Sequence, residues 1–190
     1  QAEGLGGQVG PEPDVVAEEQ YNWSNGYPDI LARAELSTAR LVSWRPRSAL
    51  VLCDAFRHPA VLAREAVSID HATGGRFELG MGWGSVVEEF STFGTGSTRP
   101  ADRVQRLRET LEVLQALWAG EVVDYDGEFH HLRGARQAPV PLGRIPIVIG
   151  GVGKKTMALV REHADWWNVH VGELHRVEEL RPQAGGARVS

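Results

Sequence analysis

The apolar residues of this chain fall partly in short continuous runs and partly in stretches with helical spacing. Continuous apolar runs bounded by polar residues or glycine are typical of strands buried on both faces, and the segments 48–53 and 145–149 have this pattern. Another strand is predicted over 76–80, where the chain runs directly into the glycine-rich segment 80–84. Apolar residues that recur at steps of three and four predict amphipathic helices, and three other segments have that spacing: 58–70, 100–118 and 154–164. The helix over 100–118 has the most regular pattern.

Weaker patterns complete the predicted order of elements. A helix is predicted over 29–40 behind Pro28, and the alternation over 122–132 around Asp126-Gly127 predicts a β-hairpin with a two-residue turn. Residues 166–171 are predicted to form one more strand. Strands and helices that alternate in this way predict a parallel sheet with helical crossovers, arranged either as a closed barrel or as an open doubly wound sheet.

Composition and charge narrow the class of protein. The chain has 190 residues, of which 42% are hydrophobic and 24% charged, as is typical of a globular domain. We expect an irregular segment over 1–14, which is rich in glycine and proline, and one domain over 15–190. A net charge of −5 and a pI near 5.8 argue against the broad basic surface of a nucleic-acid-binding protein.

The sequence also lacks the signals of a membrane or secreted protein. No apolar run approaches the ~18 residues that a membrane-spanning helix needs, and no signal-peptide pattern opens the chain. The single cysteine, Cys53, cannot form an intramolecular disulfide and agrees with a reducing compartment. We therefore expect a cytoplasmic protein that does not bind membranes.

The first candidate site is the segment Gly150-Gly-Val-Gly-Lys-Lys-Thr156, which joins a predicted strand to a predicted helix. Glycines let the backbone approach a ligand, and the free amides at a helix start favour an anion such as phosphate. Lys154, Lys155 and Thr156 would add positive charge and a hydroxyl donor. The alternative is that the glycines only permit a tight turn, and the pattern alone leaves both open.

The second candidate is Gly80-Met-Gly-Trp-Gly84, where another predicted strand ends. Its GxGxG spacing is a weak dinucleotide signal, and a strand end whose backbone lies close to a flat ring fits it better. For Trp83 we favour packing in the core over lining a pocket.

Metal and nucleophile chemistry are not predicted. His130 and His131 are adjacent on the predicted hairpin, where successive side chains point to opposite faces, and no HExxH or GxSxG motif occurs. Cys53 lies in an apolar run, which favours a structural cysteine. Glu88 and Glu89 are better explained as solvated or capping carboxylates than as an acid or base.

Several of these segments together resemble the luciferase-like monooxygenase superfamily over about residues 28–170. The resemblance rests on Arg57-His-Pro-Ala-Val-Leu-Ala-Arg-Glu-Ala, Ile69-Asp70, Gly74-Gly-Arg-Phe-Glu-Leu-Gly-Met-Gly-Trp-Gly84, Glu89-Phe and Phe93-Gly94, and continues with Asp102-Arg103, Leu117-Trp118, Asp126-Gly-Glu-Phe129, Pro146-Ile-Val-Ile-Gly-Gly-Val-Gly-Lys-Lys-Thr156, Ala164-Asp165 and Trp167-Asn168. The segment 150–156 is similar to the branch that depends on the deazaflavin coenzyme F420.

The resemblance implies an α/β fold of the (β/α)8 TIM-barrel type. A barrel of this kind typically needs about 250 residues, so we expect it to be incomplete, with five or six of the eight βα units. It also implies coenzyme F420, or alternatively FMN, as the cofactor of an oxidoreductase or monooxygenase that acts on a small organic molecule. Near the end of the first predicted strand, between Ala49 and Asp54, it implies a bulge with a non-prolyl cis peptide.

The resemblance further assigns roles to individual residues. The residues expected along the cofactor ring are Val51, Cys53, Gly82 and Gly84. The residues expected to hold the cofactor phosphate are Gly150, Gly151, Val152, Gly153, Lys154, Lys155 and Thr156. The family usually has Glu-His-His or Asp-His at the end of its second strand. Here Glu19 is in register, but Gln20 and Tyr21 stand where the histidines would be, so the usual proton carrier is replaced. We expect Glu19, Gln20 and Trp23 near the ring as the catalytic residues.

Three hypotheses follow. The first is the cofactor-dependent oxidoreductase, expected to form a homodimer. The second is a degenerate, non-catalytic barrel that serves as a subunit or binding module, with the open edges of its sheet buried in a dimer and its cofactor cavity occluded. The third, an open doubly wound phosphate-binding protein, requires a strand order that is not sequential.

Overall fold

The computed structural model describes residues 47–190. The strands of this part are β1 (Arg47–Cys53), β2 (Phe77–Gly82), β3 (Val123–Asp126), β4 (His131–Ala135), β5 (Ile147–Gly150), β6 (Trp166–Asn168) and β7 (Arg188–Val189). Its α-helices are α1 (Pro59–Thr73), α2 (Val87–Thr92), α3 (Pro100–Trp118), α4 (Lys154–His163) and α5 (Val177–Leu180). The predicted irregular segment 1–14 and the predicted helix over 29–40 lie outside the described residues.

Five strands form one parallel sheet in the order β1-β2-β5-β6-β7. Each strand pairs with the next parallel strand along the chain, and helices cross over between them. A sequential order is that of a (β/α) barrel, whereas an open doubly wound sheet reverses its order at a switch point. The order of the described strands therefore excludes the third hypothesis.

Apolar side chains of the sheet and of α3 form the core. Leu79, Met81 and Ile149 of the strands are fully buried, and Leu107 and Leu111 of α3 are buried in the same cluster. Burial of each such side chain contributes roughly 1.5–3 kcal/mol. The spacing of these leucines is the pattern that predicted the helix over 100–118, and the structure confirms both of its ends.

Two other predicted helices are confirmed with small changes at their ends. The N-terminus of α1 is capped by His58, whose Nδ1 accepts a hydrogen bond from the backbone N–H of Ala60 at 3.2 Å. Its C-terminus ends at Gly74, which has φ of 64°, a left-handed conformation that glycine adopts without strain. Helix α4 matches the prediction within one residue. None of the described helices is long and apolar enough to cross a bilayer.

The strand predicted over 166–171 is shorter than expected. Strand β6 ends at Asn168, and residues Val171–Arg176 form a 3-10 helix instead. His170 caps this helix, because its Nδ1 accepts a hydrogen bond from the backbone N–H of Gly172 at 3.1 Å. The 3-10 helix breaks the extended pattern that the apolar residues suggested.

The predicted hairpin is confirmed, but the prediction of a two-residue turn is wrong. Strands β3 and β4 pair antiparallel with Asp126 opposite His131, so residues 127–130 form a four-residue turn. His130 is buried and His131 is exposed, as their opposite faces predicted. The wider turn forms because a carboxylate from another element supplies its hydrogen-bond acceptors.

That carboxylate belongs to Glu109 of α3, which is 2% exposed. Its two oxygens accept hydrogen bonds from the backbone N–H groups of Glu128, Phe129 and His130 at 2.9, 2.8 and 3.0 Å. Burial alone would raise the pKa of Glu109, but these N–H donors and the side-chain amide of Gln105 lower it below its ordinary value. The carboxylate therefore stays charged and fixes the turn.

We expect Glu109→Ala to lower the free energy of unfolding by about 3 kcal/mol or more, because three backbone N–H groups lose a charged acceptor. Urea denaturation at neutral pH measures this loss. The matched control is Glu121→Ala, which removes an exposed carboxylate near the end of the same helix.

The loss of unfolding free energy in Glu109→Ala should also depend on pH. A carboxyl group whose pKa is lowered by folding stabilises the protein above its ordinary pKa of 4.5, and that stability disappears as the pH falls through the folded pKa. The difference between Glu109→Ala and wild type should therefore shrink at acidic pH. A difference that stays constant with pH would contradict the assigned role.

Candidate functional site

A cavity of about 450 Å³ opens where strands β1, β2, β5 and β6 end. Its volume lies within the range of small-molecule sites, and the carboxyl ends of parallel strands are where barrels bind ligands. Six of the predicted cofactor-binding residues line it: Val51, Cys53, Gly82, Gly84, Gly150 and Gly151. The lining is completed by Leu52, Trp83, Ser85, Glu89, Asn168 and His170.

The end of β1 has the irregular backbone that the resemblance implied. The pairing of β1 with β2 shifts register between Ala49 and Leu52, and the Leu50–Val51 peptide is cis. Both features lie in the predicted interval, so this prediction is confirmed. The side chain of Val51 lies beside the ends of the two neighbouring strands, β2 and β5.

Glycines keep the floor of the cavity open. A Cβ atom at Gly82 would lie 3.4 Å from Cγ2 of Val51, and one at Gly150 would lie 3.7 Å from Cγ1 of the same residue. Gly84 has φ of 80°, and a Cβ atom there would come within 2.9 Å of the Cys53 Sγ. The strand ends therefore present backbone surface on which a flat ring can lie.

Trp83 packs against the core, as predicted, and it also lines the cavity, so the two alternatives do not exclude each other. The indole Nε1–H donates a hydrogen bond to Oγ1 of Thr156 at 3.1 Å. The guanidinium of Arg103, from α3, lies 4.6 Å from the centroid of the indole and donates a hydrogen bond to the carbonyl of Gly84 at 3.0 Å. These contacts fix the indole because its polar edge and its ring face both have partners.

The remaining predicted cofactor-binding residues do not line the cavity: Val152 and Gly153 form the turn before α4, and Lys154, Lys155 and Thr156 begin the helix. The helix is capped by Gly153 and has no side-chain cap, so the first backbone N–H groups lack the acceptor that a capping side chain usually supplies. Lys154 and Lys155 are exposed, and Thr156 is buried. This arrangement suits an anion at the edge of the cavity.

A buried ion pair lies behind the end of β1. Asp54 is 1% exposed, and its Oδ2 lies 3.6 Å from Nε of Arg106, while Nη2 of Arg106 donates to the carbonyl of Ala55. Burial raises the pKa of Asp54 to about 7, and the Arg106 guanidinium opposes this only in part. Burial likewise raises the pKa of the neighbouring Cys53 thiol to about 11, in agreement with a structural cysteine.

Polar side chains at the cavity include two that the sequence did not single out. His170 follows β6, and because its Nδ1 accepts from Gly172, its neutral form presents Nε2–H as a donor. Ser85 lies three residues beyond the end of β2. Neither residue had a signal in the sequence, because His170 lay inside the strand predicted over 166–171 and Ser85 only followed the glycine segment 80–84. Glu89, interpreted as solvated or capping, also lines the cavity, and burial raises its pKa.

The predicted catalytic residues Glu19, Gln20 and Trp23 lie outside the described residues, so their role stays a prediction. Within residues 47–190, no group of three or more histidine, cysteine and carboxylate side chains is arranged to hold a metal ion.

A parallel barrel with a glycine-lined cavity at its strand ends defines a class of α/β barrels that bind small molecules. Residues 48–188 match the family model described as luciferase-like monooxygenase. The chain therefore belongs to the luciferase-like monooxygenase family, and its described strands are part of a (β/α)8 barrel.

Individual related proteins agree with this family assignment. An F420-dependent glucose-6-phosphate dehydrogenase from Mycolicibacterium fortuitum is 39% identical over 105 residues, which cover 54% of this chain and 31% of that protein. A monooxygenase from Streptomyces bottropensis matches the fold with a TM-score of 0.71 and 22% identity, over 83% of this chain and 48% of the other.

A third match is the oxygenating constituent of 3,6-diketocamphane monooxygenase from Pseudomonas putida, solved in complex with FMN. It has a TM-score of 0.70 and 16% identity, over 88% of this chain and 51% of the other. The chain thus spans between 31% and 51% of the length of these three proteins.

The raised pKa of Asp54 makes stability depend on pH. A carboxyl group whose pKa rises on folding, here from 3.8 to about 7, stabilises the protein below the unfolded pKa, and that contribution is lost as the pH rises through the folded pKa. Between about pH 4 and pH 8, wild type should therefore lose up to roughly 4 kcal/mol of unfolding free energy relative to Asp54→Asn.

Urea denaturation of both proteins across this pH range measures the effect. Glu121→Gln, which neutralises an exposed carboxylate, is the control and should follow wild type. A difference between Asp54→Asn and wild type that does not change with pH would show that Asp54 has an ordinary pKa in the folded protein.

Proposed function

We propose that this chain binds coenzyme F420, or alternatively FMN, in the cavity at the ends of β1, β2, β5 and β6, as part of an oxidoreductase of the luciferase-like family. The observation that carries the proposal is a cavity whose floor is glycine backbone and whose lining reaches Gly151, two residues before the cap of a helix that has no side-chain cap. A flat ring with a phosphate-bearing tail fits this combination. An F420-dependent relative and an FMN-bound structural neighbour support the two candidates.

The chemistry of the described residues suits such a cofactor. Val51, Gly82, Gly84 and Gly150 would contact the ring, because glycine at three of these positions leaves room for it. The turn over 151–156 would hold the phosphate through its backbone N–H groups and Thr156, with the lysines adding charge. A bound deazaflavin or flavin would supply the hydride chemistry, and the protein would supply binding and orientation.

The substrate is proposed to be a small organic molecule bound over the cofactor ring. His170 and Glu89 border the same cavity, and we assign to the Nε2–H of His170 a hydrogen bond to a substrate oxygen. Glu19, Gln20 and Trp23 remain the proposed catalytic residues from the other part of the chain. Residues 15–190 are proposed to form one domain, and the homodimer stays a prediction.

Titration of the purified protein with coenzyme F420 and with FMN tests the proposal. We expect at least one to bind with a micromolar Kd, followed by absorbance or fluorescence of the ring. Gly150→Val should weaken this binding by more than about tenfold, because the added side chain enters the cavity beside Val51. Gly143→Val is the matched control, since an added Cβ atom there meets nothing at the other end of β5.

Two results would overturn the proposal. One is that neither cofactor binds at high micromolar concentration, which is the outcome that the degenerate, non-catalytic barrel predicts. The other is that Gly150→Val binds as tightly as wild type, which would place the cofactor elsewhere. Equal thermal stability of the two glycine variants is the check that Gly150→Val is folded.

A further inference from the structure

We infer that Trp83 is a positioning residue that makes the site discriminate between ligands with and without a phosphate. Its indole orients the Thr156 hydroxyl in the first turn of α4, although Trp83 itself belongs to the end of β2. The inference rests on the proposed function, because it concerns the same cavity. It adds a link, the hydrogen bond between Trp83 and Thr156, that connects the residues proposed to contact the ring with the turn proposed to hold the phosphate.

The link follows from the direction of one hydrogen bond. An indole N–H only donates, so Thr156 Oγ1 must accept in the contact of 3.1 Å. The hydroxyl hydrogen of Thr156 is then left for another acceptor. Thr156 is 2% exposed and lies under the turn, with Oγ1 3.6 Å from where a Cβ atom at Gly153 would be. We assign this role to an oxygen of a phosphate bound at the turn.

Arg103 holds the indole in the position that the link requires. Its guanidinium lies 4.6 Å from the Trp83 ring centroid and 5.0 Å from that of Phe90, and the side chain is 4% exposed. The Nη1–H of Arg103 also donates to the carbonyl of Gly84, so the guanidinium is itself anchored to the loop that carries Trp83. The indole is therefore bound at its face and at its nitrogen, and it can orient Thr156 before any ligand arrives.

The test uses matched pairs of ligands and the variant Trp83→Phe. Phenylalanine keeps an aromatic ring beside Arg103 and removes the N–H donor, and because it is also smaller than the indole, variants at Thr156 control for the lost volume. The pairs are FMN with riboflavin, and coenzyme F420 with its deazariboflavin part lacking the phosphate. We expect the Kd of the phosphate-bearing ligand to rise about tenfold in Trp83→Phe, and the Kd of its phosphate-free partner to change less than about twofold. Trp166→Phe, a tryptophan outside the cavity lining, is the control and should leave both unchanged.

A double-mutant cycle separates this link from direct contact between the indole and the ring. Thr156→Val removes the hydroxyl and should reproduce the selective loss, whereas Thr156→Ser should retain wild-type binding. Trp83→Phe should have no further effect in the Thr156→Val background, because the two changes act on one hydrogen bond. The Thr156 variants test the same hydroxyl even if Trp83→Phe folds poorly.

Several outcomes would overturn the inference while leaving the proposed function intact. In each of them wild type binds a cofactor. One outcome is that Trp83→Phe raises the Kd of both ligands of a pair equally, or of neither. Another is that Trp83→Phe raises the Kd in the Thr156→Val background as much as it does in wild type. The inference would also be overturned if Thr156→Val bound the phosphate-bearing ligand as tightly as wild type. If wild type binds none of the four ligands, the proposed function fails and the inference fails with it.

Discussion

The rest of the structure depends on the burial of one face of α3. Leu107, Leu111 and Leu114 on this face are removed from water in the common core, which fixes both the axial position and the rotation of the helix. The charged residues Arg103, Arg106 and Glu109 recur at steps of three on the same helix, so the apolar packing also decides where they point.

Each of these charged side chains holds a different piece of backbone. Arg103 binds the loop after β2, Arg106 binds the turn after β1, and Glu109 binds the turn of the hairpin. Two of the three contacts lie directly behind the cavity. The geometry of the proposed cofactor site is thus set by a helix that, within residues 47–190, contributes no side chain to the cavity wall.

The sequence predicted those features that a local pattern determines. The bounds of α3 followed from regular leucine spacing behind Pro100, and the glycine turns after β2 and β5 marked two strand ends that do meet in one cavity. The four-residue hairpin turn did not follow, because its acceptor, Glu109, lies about twenty residues away in sequence and no local rule contains it. The contact between Trp83 and Thr156 spans 73 residues and depends on the register of β2 against β5. His170 belongs to no motif, and only the position of its strand in the sheet brings it to the cavity.

The ribbon of β3 and β4 has a consequence for how such a protein can change. It forms a sheet of its own that is not hydrogen-bonded to the parallel strands, and the carboxylate of Glu109 holds its turn. The side chains of Val123 and Leu132 from these two strands pack in the common core, so a change of length is best accommodated at positions that do not carry this packing. The segment between α3 and β5 thus adds surface to the fold without adding a strand to the parallel sheet, and connecting segments of this kind are where length and sequence diverge.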